Sequence, residues 1–286
     1  MGRAYFAISL ATLAWACNFT VAKVATRELD PIFIAAFRVL ATGAFFWALL
    51  PAEGRRLTWE EARRVLPLSA TGVALNHLCF AAGIKLTTPS HSAVIHALIP
   101  VFVAVLAWAI LGERLRPAGI AGIALAVAGA LLVVLGASPA EFRGTIAGDL
   151  LTAAGILAFS VYTVLGRRAL GVLGSLRTVA WAFVLAAPLM LPFLAWGVAR
   201  QDWSAVTWKG WAALGYMWVG ANLVAYAGHL YALKRLKAGQ VAAFADLQPV
   251  IGIGVAVLAG LDRATPLLVA GAAVALAGVV IVQVRG

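Results

Sequence analysis

Apolar residues along this chain form long runs that short polar segments separate. Ten of the runs are about 20 residues long, the length that an α-helix needs to cross a hydrocarbon core of about 30 Å. Backbone polar groups inside a bilayer must be paired within the protein, which favours helices over irregular chain. The sequence therefore predicts an all-α integral membrane protein with ten transmembrane helices. They lie near residues 4–22, 32–50, 66–86, 91–111, 118–136, 146–165, 175–198, 210–233, 239–260 and 266–284.

The composition supports this interpretation. Of the 286 residues, 63% are hydrophobic and 12% are charged, whereas a soluble domain has about 45–50% apolar and about 25% charged residues. The predicted helices and their loops use nearly the whole chain, so no room remains for a water-soluble catalytic domain. We expect the lipid bilayer to be the main surroundings of this protein.

The net charge of +11 is spread over the loops and is not concentrated in one patch. With successive loops assigned alternately to the two sides of the membrane, fourteen of the 22 Lys and Arg residues fall on one side. Seven fall on the other side, and Arg38 lies inside a predicted helix. Because the more basic loops stay in the cytoplasm, both termini are predicted to be cytoplasmic. The charge reflects topology, and we expect no nucleic-acid partner.

The two halves of the chain have similar sequences. Residues 93–130 match residues 242–279 at 13 of 38 positions with an offset of 149, and the matches include two prolines and an arginine after an acid. Earlier in each half the offset is 144. The sequence thus predicts two five-helix repeats, residues 1–137 and 145–286. Because five is odd, the second repeat enters the membrane inverted, an arrangement typical of secondary transporters that hold substrate between the repeats.

Several short motifs resemble those of a known transporter family. They are LAWACN at 13–18, Pro31 followed by Arg38, IPVF at 99–102, GERL at 112–115, QPV at 248–250 and LDR at 261–263. With these motifs the chain resembles the EamA-type members of the bacterial drug/metabolite transporter superfamily, and its overall sequence is most similar to the YddG-like exporters of aromatic and neutral amino acids. The resemblance implies a multi-pass protein of the bacterial inner membrane that exports small metabolites by alternating access. It also implies that the first, third and fourth helices of each repeat line the substrate path.

Polar and aromatic residues inside the predicted helices form the candidate substrate site, because a polar group at bilayer depth requires a partner or a function. Four such residues share one face of the eighth helix. The first helix of each repeat places an aromatic residue three positions before a polar one. Aromatic walls with a few polar groups suit a ligand that has an apolar side chain and charged ends. The predicted substrate-binding residues are Trp15, Asn18, His77, Phe80, His96, Phe159, Tyr162, Trp218, Asn222, Tyr226, His229 and Asp246.

Two prolines and two charged residues in the predicted helices have separate interpretations. Pro100 and Pro249 occupy equivalent positions and each removes a backbone hydrogen bond, which predicts helix bends that serve gating. Asp246 is the only carboxylate well inside a predicted helix, either as a proton carrier or substrate hook, or as a structural residue. Arg38 is expected to reach the outer surface in a structural role, although pairing with a substrate carboxylate is the alternative. His91 is expected at a helix end without a function.

Other functions stay open as alternatives. A multidrug or cationic-drug exporter of the same superfamily is the first, and a nucleotide-sugar carrier or a channel follows. Because no Walker A, zinc-protease or serine-hydrolase motif and no pair of deep aspartates occurs, an enzyme is not expected, and no cofactor or metal is expected. Ridges of small residues on the fifth helix of each repeat allow close helix contact, either within a monomer or in a homodimer.

Overall fold

The computed structural model describes residues 2–112, 116–135, 139–233, 235–236, 244 and 247–285. These residues form α-helices joined by short segments, and none of them belongs to a β-strand. The helices are α1 (Gly2–Glu28), α2 (Pro31–Leu49), α3 (Trp59–Leu86), α4 (Pro89–Leu111), α5 (Pro117–Leu135), α6 (139–173), α7 (175–200), α8 (208–233), α9 (Leu247–Leu258) and α10 (Pro266–Arg285).

Within the described chain, seven helices are long and apolar enough to cross a membrane. They are α1 to α4, residues Pro117–Val134 of α5, Thr145–Gly166 of α6 and Leu176–Arg200 of α7. Leu247–Leu258 and Pro266–Val282 are shorter apolar helices. The prediction of an all-α membrane protein is therefore confirmed, while the count of ten crossings and the cytoplasmic termini stay predictions.

Local sequence signals explain where several helices begin. Asp30 precedes Pro31 at the start of α2, and its side chain accepts hydrogen bonds from the backbone N–H groups of the first turn. Thr58 and Glu61 form a capping box at the start of α3, which satisfies N–H groups that have no partner within the helix. Gly174, with φ of 73°, separates α6 from α7, because a left-handed backbone conformation suits glycine.

Helices α5 and α10 pack closely along their glycine ridges. A Cβ atom added to Gly122 would lie 2.9 Å from the carbonyl oxygen of Gly278, and one added to Gly271 would lie 2.8 Å from that of Gly129. The contacts run in opposite directions along the two helices, so α5 and α10 are antiparallel. In the repeat alignment Gly122 corresponds to Gly271 and Gly278 to Gly129, so the two contacts are equivalent. A two-fold axis between the helices produces this relation.

The first helix of each half packs against helices of the other half. Gly155 of α6 lies against Cys79 of α3, and Gly228 of α8 lies against Ala11 of α1. The two contacts are equivalent in the repeats, because the offset of 144 relates Gly155 to Ala11 and the offset of 149 relates Cys79 to Gly228. The largest buried apolar cluster lies between α2, α3, α6 and α7, and another lies between α4, α5 and α10.

Two helices contain a π-helical segment that the sequence did not predict. Ser69–Leu75 interrupts α3, and Met217–Val224 interrupts α8. Adding 149 to the first range gives 218–224, so the two segments occupy equivalent positions. Such segments are rare and often lie at functional sites.

The helix backbone departs from regular geometry beside one of the two predicted proline bends. Helix α4 consists of Pro89–Ala97 and Ile99–Leu111, and the break between them falls at Leu98, two residues before Pro100, where ψ is −2°. Pro249 is the third residue of α9 and is buried. The residues on its amino-terminal side, 245 and 246, lie outside the described part of the chain. A role of either proline in gating stays a prediction.

Candidate functional site

Trp15 of α1 joins the two halves of the chain at the polar–aromatic face of α8. In the π-helical segment, the backbone N–H of Ala225 bonds to the carbonyl of Gly220 and not to that of Ala221, its partner in a regular α-helix. The indole Nε1 of Trp15 donates a hydrogen bond of 2.9 Å to this carbonyl of Ala221. The π-helical segment thus supplies the acceptor that fixes the orientation of the Trp15 ring.

The Trp15 ring also contacts two predicted site residues of α8. Its centroid lies 5.7 Å from that of Tyr226 in an edge-on arrangement and 5.3 Å from that of His229. Nδ1 of His229 is buried and has no hydrogen-bond partner. The structure therefore brings three of the predicted residues into one cluster between α1 and α8, which we call the Trp15 cluster.

A buried polar chain lies one helical turn from this cluster. Nη2 of Arg38 donates a short hydrogen bond to Oδ1 of Asn222, and Nδ2 of Asn222 donates to Oγ1 of Thr42 at 2.9 Å. Arg38 is only 6% exposed, Asn222 1% and Thr42 0%. The expectation that Arg38 reaches the surface is wrong, because its side chain points between α2 and α8, where Asn222 accepts its hydrogen bond.

A second aromatic cluster forms between α1, α3 and α4. The rings of Phe80 and His96 lie 5.5 Å apart, and both contact Phe19, at 6.2 Å and 5.0 Å respectively. Nδ1 of His96 lies 2.8 Å from the carbonyl of Ser92. Because a carbonyl can only accept, Nδ1 carries the hydrogen in this contact. The prediction placed Phe80 and His96 near the site but missed Phe19, which is one turn beyond Trp15.

The remaining predicted residues lie around these clusters. Nδ1 of His77 bonds to the carbonyl of Val73 at 2.8 Å, and its ring lies 5.8 Å from that of Phe183. Phe159 and Tyr162 stack on each other at 5.5 Å, and Tyr162 packs against Gly72 of the π-helical segment in α3. In the part of the chain that the structure covers, neither ring contacts Trp15.

Two more atoms of the predicted set bear on the site. Oδ1 of Asn18 and Nε1 of Trp218 are buried without a hydrogen-bond partner, and the Trp218 ring lies 6.2 Å from that of Phe37. Buried polar atoms in native proteins are usually paired, so these atoms indicate an interior suited to a polar ligand or water. Asp246 lies outside the described residues, and its predicted role stays a prediction.

A separate polar network joins the two halves at the start of α4, and the sequence did not predict it. Asp149 of α6 is 3% exposed. One of its carboxylate oxygens lies 3.1 Å from Nδ1 of His91, and the other accepts a short hydrogen bond from the hydroxyl of Thr87. Nζ of Lys23 donates to the carbonyl of Thr87, and Asp262 accepts from the backbone N–H of Ser90 at 3.0 Å. His91 is therefore part of an inter-helix contact and not an isolated helix end.

Replacing Asp149 with alanine is expected to lower the free energy of unfolding by about 1–3 kcal/mol. The substitution leaves Nδ1 of His91 and the hydroxyl of Thr87 buried without their hydrogen-bond partner. Thermal unfolding of the purified protein in one detergent measures this loss. Glu53→Ala is the control, since Glu53 is exposed in a short loop helix. Equal melting temperatures for the two variants would contradict a structural role of Asp149.

Comparisons with known proteins agree with this architecture. The model of the EamA-like transporter family matches residues 2–135 and 146–284. An uncharacterized transporter of Archaeoglobus fulgidus is 25% identical over 278 residues, which cover 97% of this chain and 98% of that protein. A probable terminal-alkyne amino-acid exporter of Streptantibioticus cattleyicolor is 26% identical over 289 residues, covering 100% of this chain and 95% of that protein. A solved crystal structure has the same fold, with a TM-score of 0.68, 23% identity, and coverage of 98% of this chain and 96% of that one.

Proposed function

Because this chain belongs to the EamA-like transporter family, part of the drug/metabolite transporter superfamily, we propose that it exports small neutral amino acids, including aromatic ones. The observation that carries the proposal is the juxtaposition of the Trp15 cluster with Arg38 and Asn222 inside the helix bundle. An aromatic wall beside a fixed positive charge suits a ligand that combines an apolar side chain with a carboxylate. The relative named as a probable amino-acid exporter and the YddG-like resemblance support the same substrate class.

The proposed mechanism is alternating access between two inverted five-helix repeats in the cytoplasmic membrane. The antiparallel contacts of Gly122 with Gly278 and of Gly129 with Gly271 support a two-fold relation between the halves. The Trp15 cluster combines α1 of one half with α8 of the other, so relative movement of the halves changes the geometry around a bound ligand. The irregular backbone at Leu98 and in the two π-helical segments gives α3, α4 and α8 positions where they can bend.

The charge of the site separates this proposal from its main alternative. A cationic-drug exporter requires an acidic group in its binding region, whereas the described residues of the site contain Arg38 as their charged side chain. A cation placed beside a buried guanidinium is repelled, since opposite charges are what stabilise buried ions. The geometry thus favours amino acids over cationic drugs.

The proposed function predicts saturable uptake of amino acids by proteoliposomes that contain the purified protein. The panel is radiolabelled phenylalanine, threonine and methionine, measured with and without an imposed pH gradient, and protein-free liposomes are the control. Uptake that saturates and shows counterflow supports a carrier, and a response to the gradient assigns proton coupling. If no amino acid moves although the protein is folded, the amino-acid proposal is wrong. Continuous currents without saturation would indicate a channel.

A further inference from the structure

We propose that the guanidinium of Arg38 is the group that binds the carboxylate of the transported substrate, with Asn222 and Thr42 holding it in position. This inference rests on the proposed function, because it names the part of the amino acid that the site recognises. It also restricts the substrate class to molecules with an anionic group. Within the described chain, Arg38 has no oppositely charged partner. A charged side chain in a bilayer interior normally pairs with an opposite charge. In the described residues the ion pairs are His91–Asp149 and Arg177–Glu61, and neither includes Arg38.

The neutral partner of Arg38 orients the guanidinium without neutralising it. Asn222 accepts from Nη2 through its amide oxygen and is itself fixed by its bond to Thr42. Arginine has five N–H donors in a planar fork that matches the two oxygens of a carboxylate. Nη2 is engaged, whereas Nε is buried without a partner. The fork is therefore held rigidly while part of its donor capacity and its whole charge remain available.

The position of Arg38 places a bound carboxylate next to the aromatic wall. Asn222 and Tyr226 are four residues apart on α8, a spacing that places both on the same side of the helix. The carbonyl that binds Trp15 belongs to Ala221, the residue before Asn222. A carboxylate at Arg38 thus leaves the side chain of the same molecule facing the Trp15 cluster.

Of the second helices of the two halves, α2 carries a charge in its interior and α7 does not. The position equivalent to Asn222 in the π-helical segment of α3 is Val73, by the offset of 149. Residues 178–199 of α7, the second helix of the other half, contain no charged residue. A two-fold-related scaffold with a single cation binds an amino acid in one orientation, with its carboxylate towards α2.

The test compares ligands that lack either the carboxylate or the ammonium of phenylalanine, in wild type and in three variants. The ligands are L-phenylalanine, its uncharged-carboxyl analogue L-phenylalaninamide, and 3-phenylpropionate, which keeps the carboxylate and lacks the ammonium. The variants are Arg38→Met, Arg38→Lys and the control Arg63→Met, which makes the same chemical change at an exposed position of α3. Two readouts are used: inhibition of labelled phenylalanine uptake in proteoliposomes, and the rise of melting temperature on adding each ligand in detergent.

We expect phenylalanine and 3-phenylpropionate to bind wild type at least tenfold more tightly than the amide, and Arg63→Met to behave as wild type. Arg38→Met is expected to lose this preference while its unliganded melting temperature shows that the variant is folded. Arg38→Lys is expected to keep part of the preference.

Phenylalaninamide binding as tightly as phenylalanine to wild type would overturn the role of Arg38 and leave the amino-acid proposal standing. If no amino acid is transported but 3-phenylpropionate raises the melting temperature only when Arg38 is present, the carboxylate site stands and the amino-acid proposal falls. Neither transport nor any carboxylate-dependent shift in folded wild type would overturn both.

Discussion

Replacing Gly129 with leucine is expected to abolish folding of the protein. A Cβ atom at Gly129 would lie 2.6 Å from the Cα of Ala275 and 2.7 Å from the carbonyl oxygen of Gly271. Both neighbours are backbone atoms of α10, so no change of rotamer relieves the overlap and the two helices must separate. In a bilayer the packing of small residues is a main source of helix association. Size-exclusion chromatography of the detergent-solubilised variant is expected to show aggregate in place of a single symmetric peak.

For the alanine variant at the same position, the direction of the stability change distinguishes helix propensity from close packing. Alanine favours a helix over glycine by about 1 kcal/mol, so Gly129→Ala would stabilise the protein if backbone propensity alone mattered. Because even a methyl group overlaps with α10, we expect this variant to melt at a lower temperature than wild type. Gly254→Leu is the control, since a Cβ at Gly254 in α9 has no neighbour within 4 Å. Equal yields of folded Gly129→Leu and Gly254→Leu would contradict the close packing.

Much of the fold could be predicted from the sequence because membrane helices follow from hydrophobicity and length. The runs near residues 91–111 and 118–136 correspond to α4 and α5, and the glycine ridge predicted for close contact is where α5 meets α10. The repeat alignment matches Gly122 with Gly271 and Gly129 with Gly278, and in the structure Gly122 lies against Gly278 and Gly271 against Gly129. Such features depend on local composition and on comparison of the chain with itself.

The features of the fold and of the candidate site that could not be predicted depend on which side chains of different helices contact each other. The π-helical segments have no distinct local signature, yet one of them creates the acceptor at Ala221 that positions Trp15. Asp149 is the fourth residue of a predicted run, and nothing in its sequence position indicates that His91 and Thr87 lie beside it. The sequence predicts a surface position for Arg38, because a long side chain can reach water. Only the position of Asn222 shows that it points inward.

Replacing Asn222 with leucine is expected to destabilise the protein by about 1.5–3 kcal/mol, the usual contribution of a hydrogen bond to a charged group. In the double variant Arg38→Met/Asn222→Leu the charge is gone as well, and we expect most of the lost stability to return. Thermal unfolding of the two single variants, the double variant and wild type in one detergent measures the coupling. Equal losses in Asn222→Leu and in the double variant would show that Asn222 does not support the guanidinium.

Arg38→Met alone completes this comparison and separates stability from function. Removing the cation relieves the cost of burying a charge, and Asn222 keeps its hydrogen bond to Thr42. The melting temperature of Arg38→Met is therefore expected to equal or exceed that of wild type. Transport is expected to fall in the same variant. A buried charge that lowers stability without a counter-ion is retained when it is needed for function. A large loss of stability in Arg38→Met would instead make Arg38 a structural residue, and the loss of transport would then follow from misfolding.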